Sequence, residues 1–74
     1  MGELAIIDTT GDTKVIWDKT KQAEVDAAKK MFSRLKKQGY IAYTVKNNGE
    51  RGEIINNFDV NLERIIMHSP VVGG

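Results

Sequence analysis

The chain has no cysteine. That one absence removes disulfides, thiolate nucleophiles, iron–sulfur clusters and cysteine-ligated zinc together. A small secreted domain is usually stapled by disulfides, so a reducing cytoplasm is the expected setting. Histidine and proline each occur once. A lone histidine without nearby ligand spacing makes no metal site. A Ser-His-Asp arrangement would have to use His68, yet His68 and the neighbouring Ser69 project to opposite faces if extended. The expectation is that the chain is not itself an enzyme and binds no metal or cofactor. Charge of one sign is also missing: 11 basic against 10 acidic residues leave +1, so no global field draws the chain to nucleic acid or membrane. No apolar run approaches the roughly 20 residues needed to cross a bilayer. Nor does the N-terminus show the basic start and long apolar stretch of a signal peptide.

What is present fits one small folded unit. Seventy-four residues, 41% of them hydrophobic, suffice for one thin core and leave no room for a separate catalytic domain. Leu4 to Ile7 is a continuous apolar run, suited to a strand covered on both faces or central in a sheet. Thr9, Thr10, Gly11 and Asp12 interrupt it with turn chemistry. Thr13 to Trp17 then resumes with β-branched and aromatic residues, predicting an N-terminal hairpin. Trp17 is expected to close one end of the core rather than to anchor a partner.

Asp18 or Thr20 is the expected N-cap of a helix over Lys21 to Gln38. Its apolar positions Val25, Ala28, Phe32 and Leu35 recur at three, four and three, widened by Ala27 and Met31. Glu24 and Asp26 sit early and Arg34, Lys36 and Lys37 late, as the macrodipole favours, and Gly39 offers a left-handed stop. Tyr40 to Val45 alternates as a strand, and Asn47-Asn48-Gly49 signals a hairpin turn. A return strand is predicted around Glu53 to Phe58, a turn or short helical step over Asp59 to Leu62, and a central strand over Arg64 to His68. One amphipathic helix covering one mixed sheet of four to five strands is a two-layer α+β unit. With the two most apolar strands, first and last, side by side in the middle, the arrangement is a β-grasp.

On these residues the chain resembles the ubiquitin-like family. Its opening hairpin, with the Thr10-Gly11-Asp12-Thr13 turn, is similar to the hairpin that begins such folds. The helix, the later strands and the final Gly73-Gly74 follow the same plan. The run Ile65-Ile66-Met67-His68-Ser69-Pro70-Val71-Val72-Gly73-Gly74 also resembles the ends of prokaryotic sulfur carriers, with Ser69-Pro70 where those usually carry two prolines. The chain differs from that pattern in a long charged helix and in lacking an obvious second short helix before the last strand. The resemblance implies a domain over residues 1–69 and an extended tail over 70–74. It implies a protein modifier or sulfur carrier whose Gly73-Gly74 carboxylate is activated by an ATP-dependent, E1-like adenylating enzyme. The acyl group then passes to a protein target or a sulfur acceptor, with Pro70, Val71 and Val72 recognised as the tail and ATP used in trans. Glycine suits a narrow channel because it has no Cβ to clash.

Lys29, Lys30, Arg34, Lys36 and Lys37 form one basic cluster. It reads as a solvated helix face complementing the helix C-terminus, and also as a docking patch for a partner. No aromatic residue interleaves with it, so a base-stacking platform and a nucleic-acid partner are not expected. An alternative of a different class is a non-conjugated small interaction or adaptor protein, of phage or mobile-element accessory type, binding a protein through its sheet face.

Overall fold

Residues 1–46 and 48–70 are described by the structure, a computed structural model. Six elements follow in order: β1 (Gly2–Asp8), β2 (Gly11–Trp17), α1 (Gln22–Lys37), β3 (Ile41–Val45), β4 (Arg51–Ile55) and β5 (Arg64–His68). The strands form one mixed sheet ordered β2-β1-β5-β3-β4, with α1 against one face. The first and last strands, β1 and β5, are interior neighbours. They run parallel, with Leu4 opposite Ile65 and Ile6 opposite Met67. The result is a two-layer α+β unit with hairpins on either side of the central pair.

The first hairpin turns at Thr9-Thr10, earlier than the motif over residues 10–13 suggests. Asp8 pairs with Gly11, and the Asp8 carboxylate accepts from both the Thr10 amide (2.8 Å) and the Thr10 hydroxyl (2.6 Å). Gly11, at φ 132°, supplies the backbone angle that other residues rarely adopt.

The helix begins differently from expectation. Lys21 is the N-cap and contributes no side-chain hydrogen bond. Asp18 instead accepts from the Thr20 amide and hydroxyl in a turn ahead of the helix, so the two expected caps satisfy each other. Glu24 reaches back to accept from the Asp18 amide at 3.0 Å, and an acid in the first turn suits the helix dipole. The other end follows the sequence closely. The Tyr40 amide donates to Leu35 O and the Gly39 amide to Lys36 O, with Gly39 at φ 95°. This is the Schellman arrangement.

Ala28, Phe32 and Leu35 are buried on the inner helix face, with Val25 and Met31 packed at its margins. Ala27 is exposed and takes no part in the stripe. They meet Leu4, Ile6, Trp17, Ala42, Ile65 and Met67 from the sheet.

The return strand is β4, Arg51–Ile55, and it stops before Phe58. Phe58 leaves the sheet to pack edge-on against Trp17 (centroids 4.9 Å apart) and Phe32 (5.9 Å). The Trp17 indole N–H donates to Val60 O at 3.3 Å, tying the loop before β5 to the core. Asp59 to Leu62 is a turn, with the Leu62 amide donating to Asp59 O and the Asn61 amide to the Asp59 carboxylate. Between β3 and β4 the Gly49 amide donates to Lys46 O, as a tight connection requires.

Candidate functional site: the end of the central strand and the open sheet face

Side chains alternate across a strand, so the residues between the core positions share the face away from α1. The register aligns Lys14, Ala5, Ile66, Tyr43 and Ile54 in one row across all five strands. The face is largely apolar. Ile7, Ile16 and Ile54 are 42%, 54% and 61% exposed. Arg64 pairs with Glu3 across the two central strands, its Nε 2.8 Å from the carboxylate. The run Leu4 to Ile7 is therefore central but covered on one side only.

At the end of β5 this face carries a chain of planar groups. The Arg51 guanidinium lies 4.8 Å from the centre of the Tyr43 ring. Tyr43 stacks on His68, with centroids 5.4 Å apart and an interplanar angle of 23°. The Tyr43 hydroxyl is 3.1 Å from His68 Nε2, and His68 Nδ1 is 3.0 Å from Ser69 O. The Ser69 amide donates to Ile7 O at 2.9 Å, extending the parallel pairing one residue beyond β5.

Of the expected tail, Pro70 is described. It is exposed, and its ring stands beside Gly39, where a Cβ would lie 3.6 Å from the proline Cγ. Val71, Val72, Gly73 and Gly74 lie outside the described residues. The basic cluster sits elsewhere, on the helix surface away from the sheet. Lys29, Lys30, Arg34 and Lys37 are exposed around a shallow depression that Asp26 and Ser33 also line. Lys36 is partly buried, its Nζ 3.4 Å from Asn56 Oδ1. Ion pairs among the described residues are Lys21–Glu24 and Arg64–Glu3, so none of these five cations meets a carboxylate there.

The sequence places His68 at the end of the last strand but does not join it to Tyr43 and Arg51. The pairing depends on the β3–β5 register, which sets Tyr43 opposite Ile66 and His68 two residues further on. The apolar open face leaves a trace in the sequence: Leu4 to Ile7 are apolar at consecutive positions, and a strand puts consecutive side chains on opposite faces.

No group of three or more His, Cys, Asp or Glu side chains that could hold a metal occurs among the described residues. No helix there is long and apolar enough to cross a membrane. Comparisons with protein-family models, with curated proteins and with solved structures return no match for the chain.

Proposed function

We propose that the chain is a ubiquitin-like β-grasp protein acting as a protein modifier or sulfur carrier, with the carboxylate of Gly74 as its working group. The observation that carries this reading is the strand order, in which the first and last strands are parallel neighbours at the centre of a sheet backed by one helix. That topology starts the C-terminal segment from a strand paired on both sides, next to a hydrogen-bonded Ser69. A segment presented to another enzyme needs such a fixed base and small terminal residues.

In this reading the chain supplies the acyl group and no catalytic side chain. A carboxylate oxygen of Gly74 attacks the α-phosphorus of ATP on a separate adenylating enzyme, and pyrophosphate leaves. A sulfur nucleophile then takes the acyl group and AMP leaves, giving a thioester or a thiocarboxylate. Pro70, Val71 and Val72 form the recognised approach, and Lys29, Lys30, Arg34, Lys36 and Lys37 form a docking face for the activating enzyme. The reading requires a free carboxylate on Gly74, in the chain as made or after processing.

The test is the mass of the C-terminal peptide after incubation with ATP in lysate of the native host, beside a truncation ending at Val72. Sulfur at the terminus, or linkage to lysines, in the full chain alone supports the reading and names its branch. A terminus that stays a free carboxylate where known carriers react overturns it.

A second reading is favoured by the open face: a non-conjugated adaptor binding a protein through Ile7, Ile16 and Ile54. An adaptor keeps its partner when Gly73 and Gly74 are deleted. A carrier loses every covalent product.

A further inference from the structure

We propose that Tyr43 and His68 are positioning residues that set the direction in which the chain leaves β5. Their use in presenting a tail rests on the carrier reading, whereas their geometry does not.

A carbonyl oxygen can only accept a hydrogen bond, so the contact between His68 Nδ1 and Ser69 O places the imidazole proton on Nδ1. Nε2 of the neutral ring then keeps its lone pair and accepts from the Tyr43 hydroxyl. The two contacts are mutually consistent: the Ser69 carbonyl selects the Nδ1–H tautomer, and the Tyr43 hydroxyl, able to donate or to accept, fits it as a donor. Arg51 lies over the Tyr43 ring, so the chain of contacts runs from the edge strand β4 through β3 and β5 to the Ser69 carbonyl.

The consequence lies in the backbone. The Ser69 amide is bound to Ile7 O while its carbonyl is bound to His68, so both backbone polar groups of that residue are held. The next residue is proline, whose ring locks φ near about −65° and also restricts the residue before it. The first torsion left unrestrained after Ser69 is the proline ψ, beyond the Cα of Pro70. Ser69 and Pro70 thus act as a bracket rather than a hinge. None of these contacts belongs to the core, which is on the other face of the sheet. Their joint effect falls on the chain's exit, not on the packing of α1.

The experiment begins with the ring nitrogens of His68 in the 15N-labelled full chain, read by long-range 1H–15N correlation above about pH 8, where an ordinary imidazole is neutral. The Nδ1–H tautomer is expected. A dominant Nε2–H tautomer overturns the assignment. Tyr43→Phe removes the donor to Nε2 and should move the equilibrium toward Nε2–H. An unchanged tautomer in that variant removes Tyr43 from the proposal.

Amide hydrogen exchange supplies the second readout. His68→Ala should raise exchange at Ser69 about ten-fold through local opening, with Ile66 and Leu35 unchanged. His68→Asn keeps a nitrogen donor near the Nδ1 position and should restore protection. Equal acceleration at all three amides would mean general destabilisation and no positioning role. Should His68→Ala fail to fold, the wild-type and Tyr43→Phe spectra still decide. The carrier reading fails separately: absence of covalent product from the wild-type chain ends that reading and leaves the tautomer result standing.

Discussion

Trp17 ties the first hairpin to the loop before β5. It is fully buried at the end of the edge strand β2, faces Phe58 edge-on, and donates to Val60 O. Opposite it in the hairpin is Gly2, where a Cβ would overlap the indole. Large aromatics in small cores supply both apolar area and a polar tip that needs a partner. Trp17→Phe keeps much of the area but leaves the Val60 carbonyl without its donor and a gap beside Phe58. The expected loss is about 1–3 kcal/mol. Urea unfolding followed by far-UV circular dichroism checks it, with the midpoint falling and the slope unchanged. A loss below about 0.5 kcal/mol, the size of an ordinary surface substitution, would contradict this role.

The turns and the helix ends show which local signals carry through to the fold. Gly39 was legible because a left-handed stop after a regular apolar stripe has few substitutes. The helix start was not, because Asp18 and Thr20 both qualify as caps and only their mutual bonding excludes them. At Gly39 a Cβ meets only ordinary contact with Pro70, so Gly39→Ala is resisted by φ 95° rather than by crowding. The cost is about 1–2 kcal/mol, read as a lower urea midpoint.

The Asp turns carry a pH signature. Hydrogen bonds from the Thr10 hydroxyl, and then its amide, hold the Asp8 carboxyl below its ordinary 3.8. The Thr20 hydroxyl, followed by its amide, does the same at Asp18. A lowered folded pKa stabilises the fold fully above the unfolded value. That contribution is lost as pH falls from 3.8 through the folded value, because the unfolded chain takes up the proton first. Asp8→Asn should therefore flatten the acid limb of stability against pH and bring the two proteins together at the lowest pH. Parallel curves would show that Asp8 is not the source.

On the scale of the whole molecule, the sheet has two unlike faces joined by one set of strands. The α+β layering and the central pairing of β1 with β5 were legible because Leu4 to Ile7 and Ile65 to Met67 are too apolar for an edge. Which residues of those runs face away from α1 was not legible, since alternation cannot be phased when consecutive residues are all apolar. For the same reason the Tyr43–His68–Arg51 chain needs the register, and the return strand predicted as far as Phe58 ends at Ile55 because the hydrophobicity of Phe58 serves the loop's contact with Trp17.

The two faces should answer substitution differently. Met67 is fully buried against α1, whereas Ile54 is 61% exposed at the outer strand. Met67→Ala removes packed atoms and is expected to cost about 2–5 kcal/mol, a large part of what so small a domain has. Ile54→Lys leaves the core intact and should change stability by no more than about 0.5 kcal/mol. Because Ile54 completes the cross-sheet row with Tyr43 and Ile66, the same change puts a charge on the apolar face. Retained stability with loss of a partner would assign that face to binding. Retained stability with full covalent product formation would leave the C-terminal residues and the basic helix face as the parts that meet the activating enzyme. A large loss of stability from Ile54→Lys would mean that this edge is packed more tightly than its exposure indicates, and the division into a structural face and a free face would fall.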